Sequence, residues 1–421
     1  MKELKKILTI LPALIPSTII LVVEPLMYLF DLGKIDLRIR LEKLDAGLSD
    51  MEWADLVIFC RNTEPAYDFV ESLLPLGKPY IYELDDNLFE LPFNTPEGIY
   101  HFAPERFAQL KKFIKNANLV RVYSSLLETS VRSYTSKVKS IKAPVNLYSI
   151  PSIAPKHKSE KLKIVFPTSR TISDDLSKIF IKDLSRILQE HSKSVEVHFW
   201  GFIPEELKGV PSVKFHRFMP NYQKYLQAMY KEGYDIGLAP MKNDLFHNSK
   251  TNNKFREYGA CWIAGIYSNT DIYSNCVIDG KNGLLVSNEE GSWYQAITRL
   301  LSDARLRQSI QKEARALVEQ EYSLNTFALL LLNDIDEVLS TPSKPTTSEN
   351  NHIPQQRLLD NDQKPTPIFS RIIRIPIIGA QKIYKSIKNY GLVITFRLLL
   401  DQLGRYVMYF NLLRRICRKK I

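Results

Sequence analysis

The ten residues Asn248-Ser-Lys-Thr-Asn-Asn-Lys-Phe-Arg-Glu257 gather two ammonium groups, a carboxylate and a run of hydroxyls and amides into a polar lead toward a helix. Lys250 and Lys254 are four apart and Glu257 lies three residues beyond Lys254, so on a helix all three share one side. Two cations at a helix N-terminus can neutralise a leaving diphosphate, where the backbone N–H groups already favour negative charge. The same spacing also describes an ordinary solvated first turn with a Lys–Glu pair.

Three further clusters have chemical potential. Within Gly77–Pro92, which reads GKPYIYELDDNLFELP, the pair Asp85-Asp86 ends an apolar run. A carboxylate there can serve as a base toward a hydroxyl nucleophile; it can equally cap a turn, with Arg61 as ion partner. Ser169, Arg170 and Thr171 follow the run ending at Phe166, and an arginine there can grip a phosphate with two parallel hydrogen bonds or lie solvated on the surface. Ser17-Thr18 and Arg61-Asn62 also follow apolar runs. Of the seven histidines, His101 and His247 lie near these clusters, and a lone histidine is more often structural.

The elements that would position these groups alternate. Strands are expected at Ile7–Leu14, Leu56–Cys60, Tyr80–Leu84, Leu119–Tyr123 and Val145–Ile150, the first four each leading into a polar pair, the last of these Ser124-Ser125. After a Pro- and Lys-rich break at 150–163 the pattern restarts, with strands at Lys163–Phe166, Val195–Trp200, Tyr234–Leu238, Gly265–Ser268 and Gly283–Val286. Helices are expected at Asp174–Glu190, Tyr222–Lys231, Lys254–Ala264, Trp293–Leu301 and Ala304–Glu319. Short apolar runs between helices read as parallel βαβ units, and open α/β sheets bind ligands beyond the carboxyl ends of their strands. The expected class is α/β: two Rossmann-like, doubly wound domains at 1–150 and 151–340, a flexible linker at 341–367 and a basic amphipathic tail at 368–421.

Composition narrows the function. The chain has 421 residues, enough for two or three domains. Its four cysteines are scattered without a pairing or metal-site pattern. No G-x-G-x-x-G fingerprint and no Walker loop occurs, which argues against a nicotinamide enzyme and a P-loop nucleotidase. The segment Thr366–Ile421 carries twelve Lys or Arg against one acid, Asp401, and so accounts for the whole net charge of +11. A neutral body with a basic, apolar tail points to an anionic membrane surface and not to nucleic acid. The apolar run after Lys6 is broken by Pro12 and Pro16 and is shorter than the roughly 20 residues of a spanning helix, so it is expected to form a buried strand, a turn and a helix, with a membrane anchor as the alternative.

From Tyr234 to Leu301 the pieces form one string: a strand ending at Pro240, a loop with Phe246, a helix bearing Glu257, a strand at Ile266–Ser268, the turn Asp279-Gly-Lys-Asn-Gly-Leu-Leu-Val286, then Trp293 on a Leu-rich helix, with Tyr322-Ser323 beyond. This string resembles the donor-binding half of the bacterial group 1 glycosyltransferases. The resemblance implies the GT-B fold of two facing Rossmann-like domains and a nucleotide-sugar donor held without metal or other cofactor. It places Lys250 and Lys254 on the donor phosphates, Glu257 on the ribose hydroxyls, Ser169, Arg170 and Thr171 beside the diphosphate, and Tyr273 in the nucleotide pocket. It makes Ser17, Arg61 and Asn62 acceptor-side candidates, and Asp85 or Asp86 the base of an inverting reaction. Many relatives carry a second glutamate eight positions before the one matched by Glu257; that position here is Ser249, in a Ser-Lys pair. Asp-Asp-Asn also mimics the metal-binding pairs of the other large glycosyltransferase fold, against which the doubled Rossmann pattern speaks. The expected activity is hexosyl transfer to a glycan or lipid-linked acceptor in cell-surface polysaccharide synthesis, in the cytoplasm and peripherally on the membrane's inner face. Two alternatives stand beside it: a glycerol- or ribitol-phosphate transferase on the same fold, and a catalytically inactive partner protein.

Overall fold

Among the described residues twelve runs become strands, arranged in two six-stranded sheets. The computed structural model describes residues 3–156, 159–168, 175–341, 404–405 and 407–417. The first sheet contains β1 Lys5–Leu11, β2 Ile35–Leu41, β3 Leu56–Cys60, β4 Tyr80–Leu84, β5 Leu119–Val122 and β6 Val138–Ser140, in the order β2-β1-β3-β4-β5-β6. The second contains β7 Leu162–Thr168, β8 Val195–Gly201, β9 Val213–His216, β10 Ile236–Ala239, β11 Ala264–Ser268 and β12 Leu284–Val286, in the order β12-β11-β10-β7-β8-β9. Pairing is parallel, as in Ile7 opposite Leu56 and Ile236 opposite Ile164. Both orders reverse direction once, the mark of a doubly wound sheet.

Strands buried on both faces announce themselves as unbroken apolar runs, and β3 is buried at every position. The sequence reading missed β2, β6 and β9, three of the four end strands. In β2 exposure alternates with burial along IDLRIRL, and β9 is largely exposed. The strand expected at 145–150 does not form. Val145 makes a single bridge to Ser323, and the Asn146 side chain then accepts the Tyr148 N–H at 3.1 Å, turning the chain. The run after Lys6 does form a strand, β1, followed by helix from Pro16 to Asp31 with a π-helical stretch at Ile19–Val23. Among the described residues no helix is long and apolar enough to cross a membrane.

The chain divides into two compact units that interleave along the sequence: Met1–Glu83 with Tyr100–Val120 and Leu332–Ile421, and Leu84–Ile99 with Arg121–Leu331. In the first, Phe59 packs edge-on against Tyr80 and Phe113, with ring centroids 5.5 and 5.0 Å away. The described part of the basic tail is helical and belongs to this unit. Its Tyr409 is buried, with the hydroxyl donating to the Ile39 carbonyl at 3.1 Å and to Asp45. The expectations for the linker and for residues 368–403 lie outside the described residues.

The second unit is built around Ile164, Phe166, Phe180, Phe199, Ile266 and Trp293. The helix Asn253–Ala260 sits close upon its sheet and upon the helix Ala304–Glu321 because two glycines leave room. A Cβ on Gly237 would meet the Tyr258 ring at 2.6 Å, and one on Gly259 would come within 2.9 Å of the Ala314 carbonyl. At the far end of the sheet, His198 Nδ1 lies 2.9 Å from His216 Nε2 and 3.2 Å from the Tyr234 hydroxyl. Burial, and then the neighbouring His216, lower the His198 pKa to about 4 from 6.5. Both rings are thus held neutral, since burial lowers His216 as well.

A base whose pKa is depressed by folding stabilises fully above its unfolded value and progressively less as pH falls below it. Thermal unfolding followed between pH 7 and 4 is therefore expected to show stability falling from about pH 6.5 downward. Of that fall, His198→Asn should remove a component on the order of 3 kcal/mol; an unchanged pH profile in the variant would refute this assignment.

Candidate functional site

Strand β10 ends at Ala239 beside β7, where the strand order of its sheet reverses, and Pro240 turns the chain into a loop. Crevices at such reversals, outside the carboxyl ends, are where open α/β sheets receive ligands. Asp244 caps a short helical turn, Leu245–Asn248, and also pairs with the His247 ring at 2.7 Å, so His247 is tied to its own turn. Ser249 follows, with no solvent exposure. Its hydroxyl donates to the Leu245 carbonyl at 2.6 Å and accepts from Asn87 Nδ2 at 3.2 Å, and its carbonyl accepts from the Ser124 hydroxyl at 2.8 Å. Lys250 is buried, with its ammonium 2.9 Å from Asp86 Oδ1 and 3.9 Å from the centroid of the Phe246 ring.

The helix Asn253–Ala260 carries the next groups. Lys254 Nζ donates to Glu257 Oε2 at 2.7 Å, and the Tyr225 hydroxyl donates to the same oxygen at 3.1 Å. Burial, and then the Glu257 charge, push the Tyr225 phenol well above its usual pKa, so it remains a donor. The two lysines do not share a helical side, as their spacing suggested. Lys250 precedes the helix, on a turn of its own, so the four-residue periodicity does not apply across the break; it faces Asp86 while Lys254 faces Glu257.

The other expected residues fall into three groups. Asp85 is buried, and Asp86, with about a fifth of its side chain exposed (21%), pairs with Lys250. Arg61 stands in the left-handed region at φ 60°, and its guanidinium is 3.5 Å from the Ser17 hydroxyl. Asn62 is buried as a brace: its amide donates to Glu42 at 2.7 Å and accepts the Cys60 N–H at 3.0 Å. Tyr273 is buried against Tyr267, with centroids 4.8 Å apart. Ser169, Arg170 and Thr171 lie outside the described residues.

Sequence reasoning missed Asn87, Tyr225 and Arg256. Asn87 is fully buried, and its amide donates to Ser130 at 3.1 Å as well as to Ser249. Arg256 is buried too, with Nε donating to Asn252 Oδ1 at 3.1 Å and the guanidinium also reaching the Pro144 carbonyl and Asn253. In the sequence Asn87 trails a more conspicuous acidic pair, Arg256 reads as a solvated helix residue, and nothing marks Tyr225. The assembled site offers two ammonium groups and a carboxylate beside a strand-order reversal, suited to a ligand carrying both phosphate and hydroxyls. Among the described residues no cluster of three or more His, Cys, Asp or Glu could hold a metal ion.

Residues 163–303 match the family model described as glycosyl transferases group 1. Solved structures match over most of the chain. A glycosyltransferase from Rickettsia africae aligns at 16% identity with a TM-score of 0.59, covering 80% of this chain and 100% of that one. HepE of Anabaena in complex with UDP aligns at 15% and 0.55, covering 79% and 100%. Sucrose-phosphate synthase from Thermosynechococcus elongatus aligns at 13% and 0.57, covering 79% and 99%. These neighbours are GT-B proteins, and the fold is GT-B. No curated protein matches the chain.

The polar brace at the site has a measurable energy. Asn87→Ala removes two buried donations, and a net hydrogen bond contributes roughly 0.5–1.5 kcal/mol. Denaturant unfolding is expected to show a loss of about 1–3 kcal/mol, with an unchanged midpoint excluding the brace.

Proposed function

We propose, from the premise that residues 163–303 form a group 1 glycosyltransferase domain in a GT-B chain, that the protein transfers a hexosyl group from a nucleotide-sugar to a glycan or lipid-linked acceptor. The observations that carry this reading are buried Lys250, paired with Asp86 on the loop after β10, and the Lys254–Glu257–Tyr225 group on the helix that follows that loop. Lys250 and Lys254 neutralise the diphosphate as its bond to the anomeric carbon breaks, and Glu257 takes the ribose hydroxyls. No metal is needed for this charge balance. The HepE complexes with UDP and with UDP-glucose support a uridine-diphosphate donor.

The acceptor hydroxyl attacks the anomeric carbon, the nucleoside diphosphate leaves, and Asp86 or Asp85 receives the proton. Asp86 and the incoming diphosphate compete for Lys250, so donor binding loosens Asp86 for work as a base. Cell-surface polysaccharide synthesis is the setting that suits a lipid-linked acceptor and a basic tail, with the protein held peripherally on the cytoplasmic face of the membrane.

Ser249, buried and hydrogen-bonded where many relatives carry glutamate, favours a second reading. A transferred group that needs no carboxylate there, such as a glycerol- or ribitol-phosphate unit from a cytidine-diphosphate donor, would use the same lysines. An inactive partner protein would bind a donor without turnover.

Thermal unfolding against a panel of UDP-, GDP- and CDP-linked donors separates these. A ligand at a hundredfold excess over Kd adds about 2.7 kcal/mol. A hexose nucleotide is expected to raise the melting temperature, with the shift lost in Lys250→Ala. Turnover with an acceptor should be lost in the Lys250→Ala, Glu257→Ala double variant. A shift with CDP-polyols alone would select the second reading, and undiminished turnover in the double variant would overturn the site.

A further inference from the structure

The second sheet has a cavity at the ends of its strands opposite the lysine-bearing loop. A volume of about 480 Å³ opens where β7 and β10 begin, lined among others by Glu160, Asp235, Trp262, Arg307, Gln308 and Gln311. It lies roughly 17 Å along β10 from the lysine-bearing loop, at about 3.4 Å per residue. Its size falls in the range of small-molecule sites, roughly 300–1,000 Å³.

Trp262 marks this cavity as more than a packing gap. It sits at the turn between the helix Asn253–Ala260 and β11 with φ 60°, in the left-handed region that a bulky side chain rarely adopts. Such strain persists where the surroundings enforce it, and it gathers at functional positions. Here the strained turn places a half-buried indole at the cavity, its N–H directed at the Pro151 carbonyl 3.4 Å away. The polar lining is balanced. Asp235 lies 3.8 Å from Arg307, and Glu160 and Lys312 supply one further charge of each sign. Gln308 and Gln311 are three apart on one helix and line the same side of the cavity, the Gln311 amide donating to the Asp235 carbonyl at 3.2 Å.

We infer that this cavity binds a neutral saccharide chain. An anion would call for net positive charge and an apolar ligand for an apolar lining. An aromatic surface with amides and charge-balanced carboxylates fits a neutral ligand whose polarity is all hydroxyl. Naming that ligand a saccharide, the acceptor chain or its elongated product, rests on the glycosyl-transfer reading. The site would hold a growing chain at a distance from the reacting end and favour successive additions to it.

The test uses the full-length protein on an array of neutral and anionic oligosaccharides, followed by titration of the best binder. Trp262→Gly removes the indole while installing the residue that φ 60° suits, which offsets part of the packing lost with the ring; its melting temperature is measured alongside to show that the variant is folded. Its affinity for a neutral glycan should fall at least tenfold, and the Gln308→Ala, Gln311→Ala double variant should lose affinity as well. The nucleotide-induced thermal shift should stay at the wild-type value in both. No glycan bound by the wild type, preference for anionic glycans, or unchanged affinity in both variants would overturn the proposal. Loss of the nucleotide shift in the wild type would instead overturn the transferase reading and leave the array result to stand by itself.

Discussion

A guanidinium sealed from water must have its hydrogen bonds met by the protein, and Arg256 meets this demand with the chain on both sides of the site helix. It takes Asn252 and Asn253 at the helix entrance and the Pro144 carbonyl from a distant segment, while burial lowers its pKa. Removing one partner of a buried charge is far more costly than removing an exposed one. The entry angle of the helix Asn253–Ala260 is set by this requirement, and with it the positions of Lys254 and Glu257. The glycines at 237 and 259 complete the constraint by letting the helix settle against sheet and neighbouring helix.

The loop before that helix is held by a different kind of interaction. Asn87, Ser124 and Ser249 form a neutral network in which a carbonyl, two hydroxyls and an amide satisfy one another out of water. Such a network fixes a backbone without adding charge. The charges nearby, Lys250 and Asp86, are placed against each other beside this network.

The buried strands and the site helix were legible in the sequence because they leave local signals: unbroken apolar runs, a proline at a strand end, an acid three residues after a lysine. The end strands β2, β6 and β9 were not, since each is partly exposed and their pattern mixes with that of loops. The lysines and Glu257 stand out by type and spacing, but the expected shared side for Lys250 and Lys254 does not form, because a break before the helix leaves no mark in residue spacing. Asn87 and Arg256 were invisible for a deeper reason. Their partners lie 162 and 112 residues away along the chain, and no local pattern encodes a hydrogen bond that tertiary packing creates.

The buried Tyr409 bears on how the molecule coexists with its own copies. Strand β2 ends the first sheet, and an end strand with an alternating apolar face is a template onto which another chain can add a strand. By placing a ring and a hydroxyl on the Ile39 carbonyl, the C-terminal helical stretch occupies the middle of that edge. A chain lacking the stretch would keep both sheets and the lysine-bearing loop, yet would present an uncovered edge and tend toward self-association. The described C-terminal stretch thus covers part of an edge that would otherwise lie open.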